Sequence, residues 1–277
     1  MDAWLRFRKN RLALIGLALV LMLVLAATLA PWLALHDPTR QSLIEKRARP
    51  GAKYLLGADE FGRDILSRVI YGSRVALLVG VVSVLIALAG GLVLGTAAGF
   101  TGGWLDTVVM RVVEILLAFP YLLLALAIVA MLGPGVLNTT LAVGIWGVPA
   151  VTRMVRGSVL ALRETEYVGA ARALGAPAPA VLRRHVLPNI LPGLVVYATL
   201  FMANAILLEA ALSFLGLGVQ PPTASWGLMV STGRDVLLVA PHVATVPGLA
   251  IMVAVLGFNL VGDGLRDALD PRLTTTR

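Results

Sequence analysis

Few side chains in this 277-residue chain could do chemistry, and their spacing excludes most kinds of it. There is no cysteine, so disulfides, thiolate metal sites and cysteine nucleophiles are ruled out. His36, His185 and His242 stand far apart in the sequence and share no metal-ligand spacing. Gly57, Asp59, Gly62, Arg63 and Asp64 set carboxylates at metal-like intervals, but no complete calcium loop follows, and turns with ion pairs are the reading. No metal site is expected. The chain has no Gly-x4-Gly-Lys-Ser/Thr loop to cradle a nucleotide, no His-Glu-x-x-His, and no serine–histidine pairing with an orienting acid. One carboxylate, Glu209, falls near the outer end of an apolar run. A carboxylate there is either a path residue or a structural contact at a helix end, and the structural reading ranks first.

What remains is the chemistry of contact, and it centres on Glu166 to Pro188, EYVGAARALGAPAPAVLRRHVLP. Its first half reads as a short helix, with Thr165 at the N-cap and Gly175 where a left-handed residue ends a helix. Tyr167, Ala170, Ala171 and Leu174 recur at i, i+3, i+4, i+7 and make one apolar stripe, half of it alanine, so a partner surface can come close. Pro177 and Pro179 suit the first turn of a second helix carrying Val181, Leu182 and His185 on one face, and Pro188 is expected to close it.

The elements that present this island are long and apolar. Hydrophobic residues make up 58% of the chain and charged ones only 14%, too few for a soluble domain of this size. The net charge of +8 lies in blocks between apolar runs and not in one aromatic-rich patch, which speaks for membrane topology and against nucleic acid. After the basic start at Arg6, Arg8, Lys9 and Arg11, residues 12–35 carry no charge and can cross a bilayer core of about 30 Å. That run is longer than the apolar core of a cleaved signal, which favours a retained span. Further spans are expected at 75–105, from near Thr107 to the Gly133-Pro134-Gly135 break, from there to Thr152, at 190–212 and at 244–261. Six spans put both ends in the cytoplasm. Fourteen of the Lys and Arg residues then lie inside and nine outside, in keeping with the positive-inside rule. Within the second span Ser83, Ala87, Gly91, Gly95 and Gly99 recur every fourth residue, a small-residue seam of the kind that packs helices closely in lipid.

The polar island resembles the loop of bacterial ABC importer permeases: Glu-Ala-Ala, three residues, Gly, nine residues, Ile, one residue, Leu-Pro. Aligned on Gly175 and on Leu187 with Pro188, Ala170 and Ala171 match, while Gly169 stands at the family's Glu position and His185 at its Ile position. Glu166 lies one turn away from the missing carboxylate. Two further runs, Gly57 to Arg74 and Glu209 with Leu212 to Gly218, resemble the dipeptide, oligopeptide and nickel branch. The resemblance covers nearly the whole chain. It implies an all-α polytopic protein with the type I importer permease core and one additional N-terminal span. The divisions expected are a cytoplasmic N-terminus with first span at 1–35, an external segment at 36–74, a permease core at 75–263 with a cytoplasmic coupling loop at 153–189, and a cytoplasmic tail at 264–277. It also implies partners: a second homologous permease, two ATPases that bind ATP and Mg, and an external solute-binding protein, in the bacterial inner membrane. The chain itself is expected to bind no cofactor. The competing reading is a self-sufficient secondary carrier or channel, against which stands the scarcity of ionisable residues within the spans.

Overall fold

A computed structural model describes residues 2–269; the expected tail residues Asp270 and Arg272 lie outside them. The described residues form twelve α-helices and no strand beyond one isolated bridge between Ala58 and Asp64. α1 (Asp2–Lys9) leads into α2 (Arg11–Thr28), which Asn10 caps by accepting hydrogen bonds from the Leu12 and Ala13 amides. The first span does not run unbroken to Leu35. It turns at Leu29 into α3 (Ala30–Leu33), with Pro31 in the first turn, where its missing N–H is tolerated.

The segment between α3 and residue 64 is a compact knot of charge. Arg63 Nε donates to Asp59 Oδ2 at 2.6 Å, while Asp59 Oδ1 accepts from the Phe61 and Arg63 amides. Both Asp59 oxygens are thus spent on turns and ion pairs. Arg68, 1% exposed, donates to the Pro38 carbonyl at 2.9 Å and lies 3.6 Å from Asp59 Oδ2. Glu45 accepts from Lys53 Nζ and from the Tyr54 hydroxyl, and these bonds, Lys53 foremost, hold its carboxyl below the ordinary glutamate value. A carboxyl depressed by folding stabilises fully above its unfolded value and loses that contribution as pH falls through the lower folded one. Amide exchange across residues 43–56 should therefore quicken between about pH 5 and about pH 3. In Glu45→Gln it should already be fast at about pH 5; an unchanged profile would detach this pair from the order of the segment.

α4 (Ile65–Thr101) begins ten residues before the expected second span, which shortens the external segment to 36–64. Asp64 supplies the start: its Oδ2 accepts from the Ser67 amide at 3.0 Å. Gly102, at φ +69°, turns the chain into α5 (Gly103–Ala118). Pro120 then breaks the run, and α6 (Tyr121–Leu132) leaves α5 at 98°. Past Gly133 to Gly135, α7 (Val136–Arg163) extends eleven residues beyond the expected end at Thr152. Four helices are long and apolar enough to cross a membrane, or five if α5 with α6 is one broken span. α7 falls short by that measure because it carries Asn138, three threonines and three arginines.

α4 and α7 form the most extensive helix pair in the molecule, and the small-residue seam lies along it. Ser83 Oγ donates to the Thr140 carbonyl at 2.9 Å, and Ala87 faces Gly147. Gly91, Gly95 and Gly99 face Val151, Val155 and Val159 in turn; a Cβ built at Gly95 would lie 2.7 Å from both the Thr152 carbonyl oxygen and Val155 Cβ. Only hydrogen fits there. α8 (Glu166–Ala173), α9 (Ala178–Val181), α10 (Leu187–Phe214), α11 (Trp226–Arg234) and α12 (His242–Leu269) complete the chain. α12 packs on α10 and on α2, and its last two turns carry Asp263, Arg266 and Asp267.

Candidate functional site

The polar loop leaves α7 at Arg163 and projects beyond the helices that carry it. Thr165 takes the N-cap position of α8, but its hydroxyl donates back to the Leu162 carbonyl at 2.5 Å and not to a first-turn amide. The helix is only two turns long, too short to be stable alone, so its packing fixes it. Val168 is its buried residue, Arg172 lies 5.3 Å over the Phe100 ring at the end of α4, and Tyr167 meets His185 at 6.3 Å. Glu166 sits in the first turn, where the helix dipole favours a negative charge.

Of the apolar stripe, Ala171 is half-buried, whereas Tyr167, Ala170 and Leu174 are exposed, Leu174 at 89%. This short apolar surface has no cover within the described residues. Gly175, at φ +82°, ends the helix: its amide donates to the Arg172 carbonyl and the Ala176 amide to the Ala171 carbonyl, the paired bonds of a Schellman motif. Gly169 is exposed with nothing within 4 Å of a Cβ placed there, so the position has room for the carboxylate it lacks.

Pro188 does not close the second helix. α9 passes through a π-helical turn, Leu182–Val186, straight into α10, with Leu187 half-buried and Pro188 exposed in the first turn of α10. The wider turn takes up one extra residue and lets a proline without an amide follow without a break. Residues 178–214 are therefore one continuous helical run, with Pro192 inside it.

Two contacts that sequence reasoning missed brace this loop. Arg156 donates to both oxygens of Asp106, at 2.5 and 2.6 Å, tying α5 to α7, and Arg163 Nη1 donates to the Gly99 carbonyl at 3.3 Å. Asp106 and Arg156 are 50 residues apart, and neither stands in a motif.

Glu209 is far from the loop and 1% exposed. Its Oε1 accepts from Ser213 Oγ and Ser225 Oγ, each at 2.8 Å, and Ser213 Oγ accepts in turn from the Val219 amide. The carboxyl thus gathers the glycine- and proline-rich segment 215–225 onto the end of α10.

Comparison with known proteins adds what geometry cannot. Residues 91–275 match the family described as binding-protein-dependent transport system inner membrane component, and residues 1–50 match the N-terminal transmembrane domain of oligopeptide transport permease C. The chain is 47% identical over 278 residues to the di/tripeptide transport system permease protein DppC of Pseudomonas aeruginosa, covering 98% of this chain and 92% of that protein. It is 44% identical to the dipeptide transport system permease protein DppC of Alkalihalophilus pseudofirmus (98% and 90% covered). It is 43% identical to the glutathione transport system permease protein GsiD of Escherichia coli (98% and 90% covered). Among solved structures, the inward-facing MetNI methionine ABC transporter shares the fold, with a TM-score of 0.62 at 20% identity over 74% of this chain and 98% of that one.

Proposed function

The chain belongs to the family of binding-protein-dependent transport system inner membrane components, and on that premise we propose that it is the importer permease subunit for short peptides. It is a multi-pass inner-membrane protein and a transport component, not an enzyme in itself. The reading of a self-sufficient carrier gives way to this membership. The proposed solute class rests on relatives named for dipeptides, tripeptides and glutathione along nearly their whole length.

The proposed partners are a second related permease, two ATPases that bind ATP and Mg, and a solute-binding protein on the outer side. The loop at 153–189 is the proposed coupling element. Supporting this is the uncovered stripe of Tyr167, Ala170 and Leu174, with Ala171 beside it, held at a set angle by Gly175. Apolar side chains left bare on a short rigid helix fit a groove on a partner protein. The seam of Ser83, Ala87, Gly91, Gly95 and Gly99 is assigned to packing within the subunit, and Glu209 to fixing the outer loop. The proposed topology has six crossings, counting α7 and the broken α5–α6, with both termini and the coupling loop in the cytoplasm and residues 36–64 outside; the basic start at Arg6, Arg8, Lys9 and Arg11 supports it.

Topology and solute are both open to test. With single cysteines in this cysteine-free chain, a membrane-impermeant thiol reagent added to intact cells should label Gln41→Cys and leave Ala178→Cys unlabelled until vesicles are inverted. Labelling of position 178 from outside would overturn the orientation. Vesicles holding the complete transporter and its binding protein should take up a labelled dipeptide only with ATP. Uptake driven equally well without ATP would sink the reading.

A further inference from the structure

The helix surfaces that meet the membrane are not alike. Along 12–27 of α2 and 75–100 of α4 the exposed residues are apolar, Leu21 and Leu25 on the one, Leu85 and Val93 on the other. The face made by α6, α7 and α10 differs. Across the break at Pro120, Tyr121 is exposed and its ring lies 5.6 Å from that of Trp146, which in turn stacks on Phe201 at 5.4 Å. Beside them Asn204 is exposed within α10. Its Nδ2 donates to the Leu200 carbonyl at 3.0 Å, and its Oδ1 receives no hydrogen bond among the described residues. Tyr121, Trp146, Asn204, Leu207 and Ala211 line a cleft of about 350 Å³.

A free amide oxygen on a lipid-facing surface would be costly, and broken backbone is tolerated at membrane depth only against protein or water. This face therefore meets water or a polar partner. The geometry points to the solute path: the cleft at Tyr121, Trp146 and Asn204 faces the aqueous route and holds a short peptide in transit. Asn204 Oδ1 accepts a peptide N–H, and the faces of Tyr121 and Trp146 pack on the peptide plane and on side chains of any kind. One backbone acceptor with flat aromatic walls recognises peptides by their common backbone, which suits a permease that leaves selection to another protein. The cleft volume is at the lower end of the range for small-ligand sites, sized for a short peptide. This inference rests on the permease reading above.

The test uses the complete transporter in liposomes, with single cysteines at Tyr121 and Asn204 and, as lipid-facing references, at Leu85 and Val93. A charged thiol reagent should modify positions 121 and 204 at least about tenfold faster than 85 and 93, while a neutral lipid-soluble maleimide should favour the latter pair. Dipeptide uptake per ATP hydrolysed should fall about tenfold in Asn204→Leu and remain near the native ratio in Asn204→Gln. If positions 121 and 204 react like 85 and 93, the face meets lipid and the inference is overturned. If they react with neither reagent, or cross-link to the second permease, that subunit covers the face and the inference is equally overturned. Failure of the complex carrying the native chain to import any dipeptide would count against the proposed solute class, while the labelling ratio would still decide the path.

Discussion

Gly95→Leu should all but abolish assembled protein. A Cβ at this position meets the Thr152 carbonyl oxygen and Val155 Cβ at 2.7 Å, and one of those atoms is backbone that cannot rotate away. α4 and α7 would have to separate along the seam they share. Forcing extra methylenes into well-packed interiors costs about 1–3 kcal/mol, and a clash with helix backbone belongs at the upper end or beyond. Lipid offers no hydrophobic drive to hold the pair together against such a loss. The yield of monodisperse protein after detergent extraction, read by size-exclusion chromatography, should fall at least about tenfold. Gly157→Ala, where nothing lies within 4 Å of the new atom, should leave it near the native level. Equal yields for the two variants would show that the two helices can part freely, and the seam would lose its structural role.

Ala171→Arg and Gly175→Val should leave the membrane part intact and separate ATP hydrolysis from uptake. Arginine at 171 adds bulk and a charge that must be desolvated on the surface proposed to meet the ATPase. Valine at 175 must adopt φ near +82°, where a β-branched side chain is strained by about 1–3 kcal/mol, so the Schellman bonds should give and α9 should change direction. Gly175→Asn is the matching control, since asparagine enters the left-handed region with little penalty. Co-purification of the ATPases should drop at least about fivefold in Ala171→Arg and in Gly175→Val and persist in Gly175→Asn, and dipeptide uptake should follow. Native uptake with a full complement of ATPase in Ala171→Arg would remove this loop from the coupling path. The partner permease should co-purify in all three, which separates lost coupling from misfolding.

Where the sequence spoke plainly, it did so through spacing. Small residues at every fourth position announce a close helix contact, but nothing in Ser83 to Gly99 says which helix lies opposite. Val151, Val155 and Val159 are equally at home against lipid. The turn at Gly175 was legible because left-handed backbone favours glycine, and the break after Leu132 because Gly-Pro-Gly cannot continue a helix. Asp64 as the cap of α4 was hidden among neighbouring charges whose partners are set only by folding. Pro120 was visible, but in an uncharged run nothing distinguishes a mild bend from one of 98°. The pairing of Asp106 with Arg156 depends on how α5 and α7 lie together, which no local pattern records. The course of the chain through Pro188 was misread because a proline usually ends a helix, and a single wider turn ahead of it lifts that restriction.

That wider turn has a mechanical consequence. Because α9 and α10 are joined without a loop, they form one continuous helical run of 37 residues, up to about 55 Å long, with Pro192 inside it. A tilt of about 10° about the midpoint carries either tip through roughly 5 Å, close to one helical pitch. Force applied at α9 would arrive at Asn204 and Glu209 as displacement and not be absorbed in a loop. The extra residue in the turn also sets phase: removing it would rotate everything before Leu182 by about 100° relative to the rest of the run. The π-helical turn is thus a gear setting, fixing which side of α9 faces outward for a given face of α10.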